Sequence, residues 1–74
     1  LSYSLPSRSA VRLDLYDVSG RRVRTLFAGT ADAGAHTLSF APVDQLQRTL
    51  ASGIYFIRLE TSGFTQVRQI TILR

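Results

Sequence analysis

The chain has 74 residues, nine basic against five acidic, a formal charge of +4, and no cysteine or methionine. A chain this short buries only about 60 % of the surface that its unfolded form exposes, and no disulfide is available to compensate. Composition excludes a disulfide framework, a thiolate zinc site and a membrane-spanning run of about 18 apolar residues. All nine basic residues are arginine, spread from Arg8 to Arg74 and clustered only at Arg21, Arg22 and Arg24. That spread suits solvated strands better than a nucleic-acid surface. The missing methionine and export signal lead us to expect an excised domain, with any signal peptide upstream.

The periodicity is two along most of the chain. Leu1, Tyr3 and Leu5 alternate with Ser2 and Ser4 until Pro6 breaks the strand. Val11, Leu13 and Leu15 alternate with Arg12, Asp14 and Tyr16, which predicts a half-buried strand with one wet face. Asp17-Val18-Ser19-Gly20 reads as a tight turn. The Asp17 carboxylate bonds the backbone two residues on, and Gly20 takes positive φ in a type I turn with a glycine bulge. The next strand is predicted from about Arg21 to Phe27. Its apolar pair Val23 and Leu26 is three apart, which breaks strict alternation and points to a bulge. Gly29 to Gly34 is predicted as a loop, with Gly34 turning the chain. His36, Leu38 and Phe40 then form the apolar row of a further strand.

From Ala41 to Ser52 the pattern changes. Val43, Leu46 and Leu50 sit at i, i+3 and i+7 behind Pro42, which predicts one or two helical turns ended by Gly53. Gly53 to Glu60 is apolar on both faces, the mark of a central strand. Thr61-Ser62-Gly63 turns the chain into a closing strand from Phe64 to Arg74. The chain therefore ends inside a strand pattern, so that the terminus is expected to be tied into the fold or held out for a partner. Together the segments predict an all-β domain, a small antiparallel Ig-like β-sandwich of six to seven strands. The chain is expected to form one domain, 1–74, with a core of Val11, Leu13, Leu15, Val23, Leu38, Phe40, Tyr55, Ile57 and Leu59.

The inventory for chemistry is short. His36 is the lone histidine, and its neighbours on the same strand face are Leu38 and Phe40. It is expected to be a half-buried packing residue whose ring nitrogen finds a partner. A catalytic triad, a metal site and a cofactor are not expected; Asp17 is assigned to its turn rather than to calcium. Tyr16 is the one aromatic that shares a face with charged residues, a thin basis for a carbohydrate-binding module.

Six short patterns occur in order. Leu1 to Pro6 has an apolar-x-Tyr-x-Leu-Pro form, and Tyr16, Asp17, Gly20 and Arg21 follow as Tyr-Asp-x-x-Gly-Arg. Val23 and Leu26 supply an apolar pair, and Gly34, His36, Leu38 and Phe40 supply Gly-x-His-x-apolar-x-aromatic. Ser52 through Leu59 reads Ser-Gly-apolar-Tyr-Phe-x-x-Leu, and Arg68, Ile70, Ile72, Leu73 and Arg74 close the chain. This combination resembles the C-terminal sorting domain of the type IX secretion system, to which the Ig-like domain of the flagellar hook-capping protein is a close relative. Two features depart from the pattern: Arg68 is followed by Gln69 rather than a second basic residue, and the Ala41 to Ala51 stretch is long.

The resemblance implies a non-catalytic domain that directs an upstream cargo, an enzyme or adhesin, through the periplasm and the outer-membrane translocon to the cell surface. A surface sortase is the second implied partner; neither nucleic acid nor membrane insertion is expected. Recognition is expected at Arg68, Ile70, Ile72, Leu73 and Arg74, with Gly53 and Tyr55 pairing nearby. The alternatives are a structural Ig-like spacer or cell-attachment module of a surface enzyme, and a carbohydrate-binding module.

Overall fold

The computed structural model describes residues 1–73 and contains six β-strands. Their bounds are Ser2–Leu5 (β1), Ser9–Tyr16 (β2), Arg22–Ala31 (β3), Gly34–Thr37 (β4), Gly53–Thr61 (β5) and Thr65–Ile72 (β6). The strands form two antiparallel sheets, one of order β3-β2-β5-β6 and one of β1-β4. This is the small all-β sandwich that the period-two pattern requires. Among the described residues no helix is long and apolar enough to cross a membrane.

Alternation sets the core. Leu13 lies opposite Leu59 and Leu15 opposite Ile57, so the inward rows of β2 and β5 meet across the centre of the larger sheet. Val11, Leu13, Leu15, Tyr55, Ile57 and Leu59 are buried, and the small sheet adds Leu5. β5 is an interior strand, as its two apolar faces predict. The expected bulge in β3 is present and doubled. The pairing skips Leu26 between Leu13/Asp14 and skips Val23 between Leu15/Tyr16, the two residues whose spacing broke alternation.

Four expectations are corrected. The stretch from Ala41 to Ser52 is not helical; it is a bent loop closed by a bridge between Val43 and Thr49. The Asp44 carboxylate binds the backbone N–H groups of Leu46 and Arg48, at 2.9 Å each, and so offers them an alternative to helical bonds. Gln47 adopts φ 65°, a left-handed conformation no right-handed helix contains. The helical spacing of Val43, Leu46 and Leu50 is thus coincidental: Leu50 is buried and Leu46 is 70 % exposed.

The predicted loop Gly29 to Gly34 is shorter than expected. β3 runs to Ala31 because Ser9, Ala10 and Val11 pair with Ala31, Thr30 and Gly29. Only Asp32 and Ala33 are left between β3 and β4. The strand expected to reach Phe40 ends at Thr37, opposite Ser2 at the start of β1, although Leu38 still exchanges backbone bonds with Leu1. Val23, Leu38 and Phe40 are half-buried against the core rather than part of it, while Leu5, Ala31, Leu50 and Ile72 belong to it.

Candidate functional site

β6 is an edge strand in unbroken register with β5. The Thr61 N–H donates to Phe64 O at 2.9 Å, which fixes the phase of the ladder. Alternation of bonded pairs then directs the backbone of Gln66, Arg68, Ile70 and Ile72 to β5. The backbone of Thr65, Val67, Gln69 and Thr71 faces outward, toward the open edge.

Side chains divide along the same rows. Ile70 lies opposite Tyr55 and Ile72 opposite Gly53, on the inner face. Ile72 is 7 % exposed and belongs to the core, so in the folded domain its side chain is not available to fill a partner's pocket. Leu73, by contrast, is 81 % exposed and Val67 63 %. Arg68 is exposed and reaches across the gap between the sheets, donating from Nη1 to the Ser2 carbonyl at 3.0 Å. Arg74 lies outside the described residues. Gly53 opens β5 with φ 155°, and the buried Tyr55 donates its hydroxyl to Ala51 O at 2.8 Å. Among the described residues, the sequence-selected ones lie on the adjacent strands β5 and β6 and at Leu73 just beyond β6, and of them Arg68 and Leu73 are exposed.

Of the turn residues, Asp17 and Gly20 lie between β2 and β3 at one end of the larger sheet. Asp17 Oδ1 accepts from the Ser19 N–H at 3.0 Å, the Ser19 hydroxyl at 2.6 Å and the Arg21 N–H at 3.0 Å. Gly20 has φ 87°, as its turn role requires. Gly34, φ 116°, starts β4 opposite Leu5.

A second loop repeats the first. Asp44 stands to Arg48 as Asp17 stands to Arg21. In both, the Asp N–H donates to the arginine carbonyl, and the fourth residue, Gly20 or Gln47, donates to the Asp carbonyl. In both, Oδ2 faces the arginine Nε, at 3.4 Å for Asp17 and 2.8 Å for Asp44. The Ser19 hydroxyl, then the Arg21 N–H, hold the Asp17 carboxyl below the usual carboxylate range; the Arg48 N–H leads the same effect at Asp44. The shared Asp-x-x-x-Arg spacing was readable in the sequence, but the polar composition of the second loop was masked by its helix-like apolar spacing.

On the outer face of the larger sheet, Asp14 is buried under Arg12 (Nε to Oδ2, 2.7 Å) and accepts from the Thr25 hydroxyl at 2.9 Å. That hydrogen bond to Asp14 raises the Arg12 pKa further above its already high ordinary value. Arg58 and Glu60 form a neighbouring pair at 3.1 Å. The hydrogen bonds of this network are made among its own members.

His36 stacks on Tyr3 with ring centroids 5.3 Å apart, and its Nε2 lies 2.7 Å from Asp32 O. This is the half-buried packing role that its strand neighbours suggested. Among the described residues no group of three or more His, Cys, Asp or Glu side chains is placed to hold a metal ion. All three tyrosines and four phenylalanines are buried or half-buried, so the fold offers no fully exposed aromatic platform for a sugar ring.

The FlgD Ig-like domain family matches residues 1–63 of this chain. The chain belongs to that family. The FlgD Ig-like match covers β1 to β5 and ends in the turn at Gly63, so β6 is the strand beyond it. No curated protein matches the chain, and no solved structure does.

Proposed function

We propose that this Ig-like domain is a non-catalytic sorting module, which directs an upstream cargo protein through the type IX outer-membrane translocon to the cell surface. The observation that carries the proposal is β6: an edge strand whose outward backbone row at Thr65, Val67, Gln69 and Thr71 is open to pairing. An open edge gives a partner generic affinity through main-chain bonds, while alternate side chains give selectivity. The ordered motifs from Leu1 to Leu73 support the same reading. The partners are the translocon and a surface sortase that removes the domain after export, and the cargo is an enzyme or adhesin. The outward row, with Arg68 and Leu73, does the recognising; Ile70 and Ile72 hold the strand in place.

The experiment is a fusion of the domain to a periplasmic reporter in a bacterium with a type IX system. Val67→Glu/Thr71→Glu alters the outward row without touching the core. The expected result is surface display of the parent fusion and its loss in the variant, with both domains folded by circular dichroism. Equal display of the two would reject β6 as the signal. If the parent fusion itself stays in the periplasm, the domain is a structural spacer, the role to which membership of the FlgD Ig-like family also lends itself.

A further inference from the structure

A cleft of about 260 Å³ opens between the two sheets on the β1/β6 side. Its floor is the apolar row Leu13, Ile57 and Leu59, and its rims are β1 at Ser2 and Tyr3 and β6 from Gln66 to Arg68. Leu1 and Leu38 exchange both backbone bonds, Leu38 N–H to Leu1 O at 2.8 Å and the Leu1 ammonium to Leu38 O at 3.2 Å. With the constant register of β1 on β4, this directs the backbone of Tyr3 and Leu5 to β4 and leaves that of Ser2, at the cleft, and of Ser4, beside it, on the open edge. The cleft thus has a strand edge on its rim and an apolar floor. A long side chain spans it: Arg68, bonded to Ser2 O.

We propose that this cleft accepts an extended peptide strand from another protein, one that carries an acidic residue between two apolar residues on the same face. The strand pairs with β1 at Ser2 and Ser4 and sets its apolar side chains over Leu13, Ile57 and Leu59. To pair, it takes the Ser2 carbonyl from Arg68. A displaced guanidinium over an apolar floor loses its hydrogen bond unless the incoming strand returns one. A carboxylate returns a stronger one, because an acceptor of opposite charge replaces a neutral carbonyl. The charge of the domain, +4, favours the same choice of partner. Arg68 is therefore the specificity residue of the cleft, and in the empty domain it covers an edge that would otherwise invite indiscriminate pairing.

The proposal does not rest on the sorting function, and its test uses no secretion system. The probe is the capped peptide Ser-Val-Thr-Glu-Thr-Val-Ser, in which Val, Glu and Val share a face, titrated into isotope-labelled domain by NMR. Amide shifts are expected at Ser2, Ser4 and Gln66 to Arg68. Replacing the peptide Glu by Gln should weaken binding about tenfold, and so should Arg68→Gln, with no further loss when both are changed. Arg68→Glu should bind the Lys version of the peptide in preference to the Glu version. Thermal unfolding of each variant checks that the fold is kept. Equal binding of the Glu and Gln peptides, shifts centred on Arg12 and Arg58 of the opposite face, or no binding up to the solubility of the peptide would each overturn the proposal.

Discussion

Substituting Gln47 by glycine should stabilise the domain, although it removes a side chain and adds none. Gln47 occupies the position in the Asp44 loop that Gly20 occupies in the Asp17 loop, and both have positive φ, 65° and 87°. A left-handed conformation costs an L-residue about 1–2 kcal/mol. Glycine avoids that cost but loses about 0.5–1 kcal/mol more chain entropy on folding. The net expectation for Gln47→Gly is a gain of about 0.5–1 kcal/mol, since the Gln47 side chain is exposed. Gly20→Ala should lose a similar amount. A Cβ there meets nothing within 4 Å, so its cost is carried by the backbone alone. For a domain of this size the changes correspond to shifts of about 2–8 °C in the unfolding midpoint. Thermal and urea unfolding of both variants would measure them, with Gln47→Ala as the control that changes the side chain and leaves the strain. A midpoint lowered by Gln47→Gly, or raised as much by Gln47→Ala, would refute the assignment of strain to this position.

Leu13→Ala should cost about 2.7–5 kcal/mol, because Leu13 is almost fully buried between Phe27 and Leu59; urea denaturation would show most of a small domain's stability gone. Acid should weaken the fold through Asp17 and Asp44. Their carboxyls are held below the usual range, so their contribution is complete above the unfolded value of about 3.9 and is lost as pH falls through the folded value. Urea midpoints at pH 7, 5 and 3 should fall only over the last interval, and less so in Asp17→Asn/Asp44→Asn. Tyr55→Phe removes the bond to Ala51 O and should lower stability by about 0.5–1.5 kcal/mol in the same assay, without loosening the cleft at Arg68.

Where side chains obey one period, the sequence reads directly as structure. The inward rows Val11-Leu13-Leu15 and Tyr55-Ile57-Leu59 are visible as alternation, and their meeting across β2 and β5 builds the core. Even the break at Val23 and Leu26 was informative, since a bulge is the way a strand absorbs an extra residue. What escaped was set by contacts remote in sequence. β3 runs to Ala31 because β2 starts at Ser9, and β4 ends at Thr37, opposite Ser2 at the start of β1. In the Ala41 to Ser52 loop a few apolar residues at helical spacing imitate a helix, whereas the Asp44 carboxylate decides the local geometry. The closing strand was correctly placed as a strand, but composition says nothing of which row faces out. Ile72 lies in the core, and Ile70 packs half-buried against it, although alternation alone marks both as candidates for recognition. Arg68 was legible as a charge, yet its span to Ser2 joins the two ends of the chain and had no local signal.

The seam between β2 and β5 has a kinetic meaning. The hairpins β2-β3 and β5-β6 each join neighbours in the chain, whereas Val11 must find Thr61 and Leu15 must find Ile57. Closing so long a loop is entropically expensive before the pairing repays it. Folding is therefore expected to dock two locally formed hairpins, and until they dock each exposes the leucines and isoleucines that later become the core. A chain caught before docking presents two sticky ribbons instead of one sealed sandwich.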